Sequence, residues 1–191
     1  MNKLVLVLFY AFLFACDLPT VENNIEEING VITMEDFDLN ELLDWQVVND
    51  NVMGGRSDAT LELTQDIQAE FKGYLSLANN GGFSSIRAYY PPNLTEIKSV
   101  KLRIKGDGRN YSFRVRGNTS RWASYSHSFS TIKDEWLIAE LKIEDFYPTY
   151  RGYNLDDMPS LSDLVIKEIG IMISDKQTGP FKLTIDWIKA E

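Results

Sequence analysis

Two seven-residue runs on either side of a Gly-Asp-Gly turn limit this chain more than any other feature. From Ser99 to Lys105, Val100, Leu102 and Ile104 alternate with Lys101, Arg103 and Lys105. Beyond Gly106-Asp107-Gly108, residues 110–116 alternate again, with Tyr111, Phe113 and Val115 on one side and Ser112, Arg114 and Arg116 on the other. A helix would scatter these side chains around its circumference, whereas a strand sends successive residues to opposite faces. Each run therefore reads as a strand with one buried and one wet face. The tight turn between them predicts a hairpin.

The same period of two recurs along the chain. It appears at Leu61 and Leu63, and at Phe71, Leu75 and Leu77, with Gly73 as a candidate bulge. Residues 83–90 form another run, which Pro91-Pro92 stops. In residues 121–130, Tyr125, His127 and Phe129 share one face and Trp122, Ser124 and Ser126 the other. Residues 135–143, 165–174 and 181–189 complete the set, the last with Phe181, Leu183, Ile185 and Trp187 in register. Residues 144–159 read as an aromatic-rich connection, and residues 160–164 as a helical turn capped by Ser160 or Ser162. Nine or ten short strands separated by turn signals, without a long helix, predict an all-β sandwich or barrel in a single domain.

Residues 44–59, DWQVVNDNVMGGRSDA, surround a Gly54-Gly55 turn with apolar anchors and a polar cluster of Asp50, Asn51, Arg56, Ser57 and Asp58. Short polar residues beside glycines bond their own backbone, so the plain reading is a structural turn. In that turn Asp50 and Arg56 form a pair across the glycines. The sharper reading is a binding loop on a rigid scaffold.

This stretch resembles the signature of the complex I intermediate-associated protein family. Further pieces follow in order: Gly81-Gly82-Phe83 with Arg87, Gly106 to Tyr111, Trp136, Phe146 with Arg151-Gly152, Ile169-Gly170, and Asp175-Lys176-Gln177 with Gly179-Pro180-Phe181. The resemblance spans residues 37–190. It implies a jelly-roll β-sandwich like that of galactose-binding domains, and a chaperone-like role in assembling a respiratory membrane complex. A glycan-binding surface protein is the alternative, suggested by the fold and by 12% aromatic residues.

Several chemistries lack their residues. The single histidine, His127, has no G-x-S-x-G nucleophile elbow to serve. One histidine and one cysteine do not make a zinc site. No Walker loop, dinucleotide fingerprint or EF-hand is present. Asp50, Asp58 and Asp107 offer carboxylates suited to calcium, but no recognisable ligand loop frames them. The expectation is accordingly no catalytic residues, no metal and no cofactor. A net charge of −9 argues against a nucleic-acid partner.

What remains for binding is a basic and aromatic set. Alternation places Arg114 and Arg116 opposite Phe113 and Val115, Arg87 opposite Ile86, and Trp122 opposite Tyr125. Were their strands neighbours, these four would line one outer face of an otherwise acidic protein. The candidate binding residues are therefore Arg87, Arg114, Arg116 and Trp122 on that face, with Asp50, Arg56, Ser57, Asp107 and Arg109 near turns. Gly54, Gly55, Gly81 and Gly82 are read as turn formers. The expected partner is a protein or a glycan.

The leader completes the plan. Residues 1–15 read as a signal peptide, with Lys3 ahead of an apolar run at residues 4–14 that is shorter than the roughly 20 residues a spanning helix needs. Leu13-Phe14-Ala15-Cys16 resembles a bacterial lipobox, which makes Cys16 the expected site of lipidation. Residues 16–36, rich in acids, read as the lipidated cysteine and a flexible tether. Residues 37–191 are the sandwich. The expected location is outside the inner membrane, anchored to a bacterial membrane on the periplasmic or surface side.

Overall fold

The computed structural model describes residues 27–28, 30–38, 42–90, 94, 96–118 and 122–191. The expected signal peptide, Cys16 and the first part of the tether lie outside the described residues. Within them run strands β1 (Glu27–Ile28), β2 (Val31–Glu35), β3 (Trp45–Asn49), β4 (Asp58–Leu63), β5 (Ala69–Leu75), β6 (Ser84–Tyr89), β7 (Ser99–Lys105), β8 (Asn110–Gly117), β9 (Ser124–Ser130), β10 (Trp136–Lys142), β11 (Tyr147–Tyr150), β12 (Tyr153–Asn154), β13 (Ile166–Ile173) and β14 (Gly179–Ala190).

The strands form two antiparallel sheets. In the first, β14 pairs with β5 through residues 179–185, with β2 through 188–190 and with β7 through 184–190. β4 extends this sheet beyond β5, β1 beyond β2, and β10 beyond β7. The second sheet runs β12-β11-β9-β8-β13-β6-β3. Alternation now has its cause. Phe71, Leu102, Ile104, Leu183 and Ile185 of the first sheet are fully buried, as are Ile86, Phe113, Ile169 and Ile171 of the second. The two inner faces make one core. Burying each such side chain contributes about 1.5–3 kcal/mol.

The hairpin expected at residues 99–116 does not form. β7 pairs with β10 and β14 in the first sheet, while β8 pairs with β9 and β13 in the second. The Gly106-Asp107-Gly108 turn carries the chain from one sheet to the other. Both runs bury their apolar sides in the same core from opposite walls, and period-two alternation looks the same either way. A Cβ at Gly106 would lie 2.2 Å from the Thr131 side chain, so glycine is required at this crossing.

Other expectations also shift. The sheet begins before residue 37, because β2 pairs with β14. The tether reading therefore gives way over Val31–Glu35. At the end of β2, the buried Glu35 carboxylate accepts from the Phe37 and Leu43 amides at 2.8 and 3.0 Å and from the Trp45 indole at 2.8 Å. Gly73 is not a bulge. Register runs unbroken through it, and a Cβ there would meet the Asp58 carbonyl at 2.0 Å. The connection at 144–159 contains β11 and β12, an edge ribbon in which Pro148 is tolerated. Leu161–Asp163 is a single 3₁₀ turn, and Ser160 makes no capping bond.

Candidate functional site

The residues between β3 and β4 form a clasp around one buried carboxylate. Asp50 opens a 3₁₀ turn at Asp50–Met53, and Gly54 closes it at φ 89°, a left-handed conformation suited to glycine. Asp50 is 1% exposed. Its oxygens accept from the Ser57 amide at 2.8 Å, the Ser57 hydroxyl at 2.6 Å, and the Gly82 and Phe83 amides at 2.6 and 3.3 Å. Burial alone would raise its pKa. The bonds from Ser57, Gly82 and Phe83 outweigh that and hold the carboxyl below its ordinary value. A Cβ at Gly55 or Gly81 would fall 2.3 or 2.4 Å from this carboxylate. Both glycines make room for Asp50, and of the pair in the loop it is Gly54, not Gly55, that needs positive φ. The expected Asp50–Arg56 pair is replaced by this set, and Arg56 points to solvent.

The clasp forms one rim of a cleft of about 600 Å³ on the outer face of the second sheet. Register fixes its floor. Arg87 on β6 and Arg114 on β8 both stand opposite Gly170 on the intervening β13. The next row is Tyr89, Glu168 and Arg116, and the row on the other side is Ser85, Met172 and Ser112. Gly170 leaves the centre of the floor without a side chain. A Cβ there would meet the Ile86 carbonyl at 2.5 Å and the Arg87 stem at 3.3 Å. Val52, Met53 and Leu77 line one side of the cleft, and Trp122, Tyr150 and Arg151 also line it. Trp122 precedes β9 rather than sitting in it, with its ring edge-on to Tyr150 at 5.2 Å.

The electrostatics of this floor are one-sided. Five cations line the cleft (Arg87, Arg114, Arg116, Arg151 and Lys176) against two carboxylates, Asp50 and Glu168. Asp50 is turned into its clasp, and Glu168 pairs with Arg116 at 3.4 Å. Arg114 reaches neutral groups: the Ser124 hydroxyl, the Thr149 hydroxyl at 2.8 Å and the Met172 sulfur at 3.3 Å. Burial first, then the charges of Arg87 and Arg116, push its pKa down to about 10. Burial, followed by Arg116, lowers that of Arg87 as well. These are cations held where a positive charge is disfavoured, an arrangement that an arriving anion relieves.

Four of the expected binding residues, Arg87, Arg114, Arg116 and Trp122, thus line one cleft, and Asp50 lines it from the rim. Ser57 is buried in the clasp. Asp107 and Arg109 do not line the cleft. The Asp107 carboxylate accepts from the Arg109 and Lys182 amides at 3.0 and 2.8 Å and from the Tyr111 hydroxyl at 3.1 Å. Arg109 grips Asp175 through Nε at 2.9 Å and a terminal nitrogen at 2.6 Å, and donates to the Gly179, Pro180 and Gln177 carbonyls. Together they lock the sheet-to-sheet crossing. His127 lies half-buried with its ring 5.2 Å from Phe146, and its Nδ1 meets the Ser128 carbonyl. Among the described residues no three His, Cys, Asp or Glu side chains converge as a metal site. Val52 and Met53, expected as apolar anchors pinning the turn to the core, and Leu77, expected in phase with Phe71 and Leu75, are instead 69, 62 and 43% exposed and line the cleft, because alternation does not extend into loops.

Comparison with known proteins places this geometry. The sequence profile described as Complex I intermediate-associated protein 30 (CIA30) matches residues 35–185. An uncharacterized protein of Schizosaccharomyces pombe is 30% identical over 169 residues, covering 77% of each chain. Complex I intermediate-associated protein 30, mitochondrial, of Mus musculus is 26% identical over 169 residues. The alignment covers 75% of this chain and 51% of the mouse protein, so the chain spans about half that relative's length. Among solved structures, a family 11 carbohydrate-binding module of a Clostridium thermocellum cellulosomal cellulase aligns with TM-score 0.65 at 17% identity, covering 86% of this chain and 95% of that one. A family 11 module from the same organism, in complex with a β-1,3-1,4-mixed-linked tetrasaccharide, aligns with TM-score 0.61 at 16% identity over 84% and 94%. At such identities the likeness is one of fold, and the fold is the expected jelly-roll β-sandwich.

Proposed function

Because this chain belongs to the complex I intermediate-associated protein 30 family, we propose that it is a non-catalytic binding domain that helps assemble a protein complex and holds its partner in the arginine-lined cleft. The observation that carries this reading is the row Arg87, Gly170 and Arg114, an open and cationic floor on an acidic protein. Family membership supports a protein as the partner, since the mouse relative is named for complex I intermediates. The lining supports binding rather than chemistry. Arginines stay protonated at any working pH, and the chain's one histidine faces Phe146 instead of the cleft.

The test is co-purification from membrane fractions with the wild-type chain beside an Arg87→Glu, Arg114→Glu double variant. The wild type is expected to recover a protein partner that the double variant loses. Recovery of the same proteins by both would overturn the assignment of the cleft. A second reading, glycan binding, draws on the fold shared with carbohydrate-binding modules and on Trp122 and Tyr150 in the cleft. A glycan array probed with the wild type and Trp122→Ala decides it, because sugar binding lost on Trp122→Ala would favour this second reading.

Lipidation of Cys16 and export complete the proposal. They rest on the apolar run followed by Leu13-Phe14-Ala15-Cys16. Stable anchoring requires more than one acyl chain. Cys16→Ser should release the protein to the soluble fraction, and an unmodified, soluble wild-type protein by mass spectrometry would count against the anchor.

A further inference from the structure

The cleft combines two surfaces that select different features of one ligand. The floor asks for negative charge. Arg87 and Arg114 stand in register on either side of Gly170, their strands two spacings or about 10 Å apart, with the Arg87 stem close to the glycine and no side chain rising from it. The Arg87 Nε donates to the Ser85 hydroxyl at 3.3 Å, and among the described residues neither of its terminal nitrogens meets an acceptor. A guanidinium fork of this kind matches a planar carboxylate through two parallel bonds. The chain as a whole is acidic, with a net charge of −9, against which this cationic floor stands out.

The rim asks for an aliphatic group. Val52 and Met53 come from the clasp turn and Leu77 from the loop after β5, and all three line the cleft while exposed to solvent. Sugars dock their C–H faces on flat aromatic rings and present hydroxyls elsewhere. Trp122 and Tyr150 supply such rings elsewhere in the cleft, but the branched and flexible aliphatics Val52, Met53 and Leu77 do not. Their wall suits an aliphatic side chain, and a methionine adapts to its shape. Methionine, arginine and tryptophan together are also the composition of protein-binding surfaces.

We propose that the occupant of the cleft is a short acidic peptide segment of the partner protein, with one side-chain carboxylate over Gly170 between Arg87 and Arg114 and a neighbouring aliphatic side chain against Val52, Met53 and Leu77. The proposal rests on the cleft being the binding site and adds the chemistry of what enters it. An extended peptide rises about 3.3 Å per residue, so charged and aliphatic side chains a few positions apart span from floor to rim.

The probe is a capped peptide of alternating glutamate and leucine, titrated calorimetrically into the whole chain beside a lysine-leucine counterpart, a neutral β-glucan oligosaccharide and an oligogalacturonate. The glutamate peptide is expected to bind, to weaken about tenfold or more in high salt, and to weaken about tenfold in Arg87→Gln. Met53→Ser, on the exposed rim, should weaken it several-fold without altering the fold. The lysine peptide should not bind. No binding of the glutamate peptide, binding indifferent to Arg87 and Met53, or tighter binding of either saccharide would overturn the proposal. If the co-purified partner still depends on Arg87 and Arg114 while the peptide fails, this inference alone falls and the cleft keeps its role.

Discussion

Arg109 and Arg114 are five residues apart and neither is exposed, yet they live in opposite surroundings. At the crossing between sheets, the Arg109–Asp175 pair has side chains 10 and 3% exposed, and three backbone carbonyls take up further donors. Its bond to Asp175, above all, raises its pKa. In the cleft, Arg114 has hydroxyls and a sulfur for company, and its pKa falls to about 10. The matched region is finished without a ligand. In the cleft Arg114 has no carboxylate in contact among the described residues, which is why we propose that region as the binding site.

The largest expected effect tests the Arg109–Asp175 joint. Arg109→Ala strands Asp175 and should cost about 3–5 kcal/mol, read as a clear drop in the thermal midpoint. An unchanged midpoint would erase the distinction between the two regions. Next comes the other saturated charge. Asp50→Ala leaves the Ser57, Gly82 and Phe83 donors without their acceptor and should cost at least about 2 kcal/mol. The pH dependence has a definite sign. A carboxyl held below its ordinary value of 3.8 contributes fully above that pH and loses its contribution as pH falls through the folded-state value. The stability gap between wild type and Asp50→Asn should therefore shrink below about pH 3.8. A gap that widened in acid would contradict the clasp.

The cleft should respond differently. Arg114→Leu removes a disfavoured charge along with two hydroxyl contacts, so stability should stay within about 1 kcal/mol of wild type while partner binding is lost. A collapse of stability would turn Arg114 into a second joint. Smallest of all is Arg56→Ala, expected within about 0.5 kcal/mol, since the side chain is exposed and Asp50 is satisfied without it.

Much of this architecture was legible in the residues. Alternation identified the buried sides of β7 and β8, and of β14 as far as Ile185; there a register shift breaks the expected run, so that Trp187 is only half-buried and Ile188 takes the core position. It also put Arg87, Arg114 and Arg116 on one outer face, with Trp122 joining them from just ahead of β9. Pairing was not legible. Whether Gly106-Asp107-Gly108 closes a hairpin or crosses between sheets depends on Thr131 and Lys182, far away in sequence. Asp50's partners were hidden for the same reason: Gly82 and Phe83 lie across another loop. The Gly81-Gly82-Phe83 and Asp175 to Phe181 pieces of the family resemblance, met in sequence as isolated fragments, are the distant halves of the Asp50 clasp and the Arg109 joint. β1 and β12 escaped because two residues show no period, β11 because Pro148 interrupts it, and β2 and β3 because their residues read as part of the tether and of the turn segment.

β14 follows in sequence every strand it binds. β2, β5 and β7 are all synthesised before the segment that joins them exists. Ile188 and Glu35, paired in the finished sheet, come from opposite ends of the domain. During synthesis the three waiting strands have no common partner, and their open edges are templates for mispairing with other chains. Contacts so distant along the chain also form slowly. The first sheet is thus completed late, when β14 pairs with β2, β5 and β7.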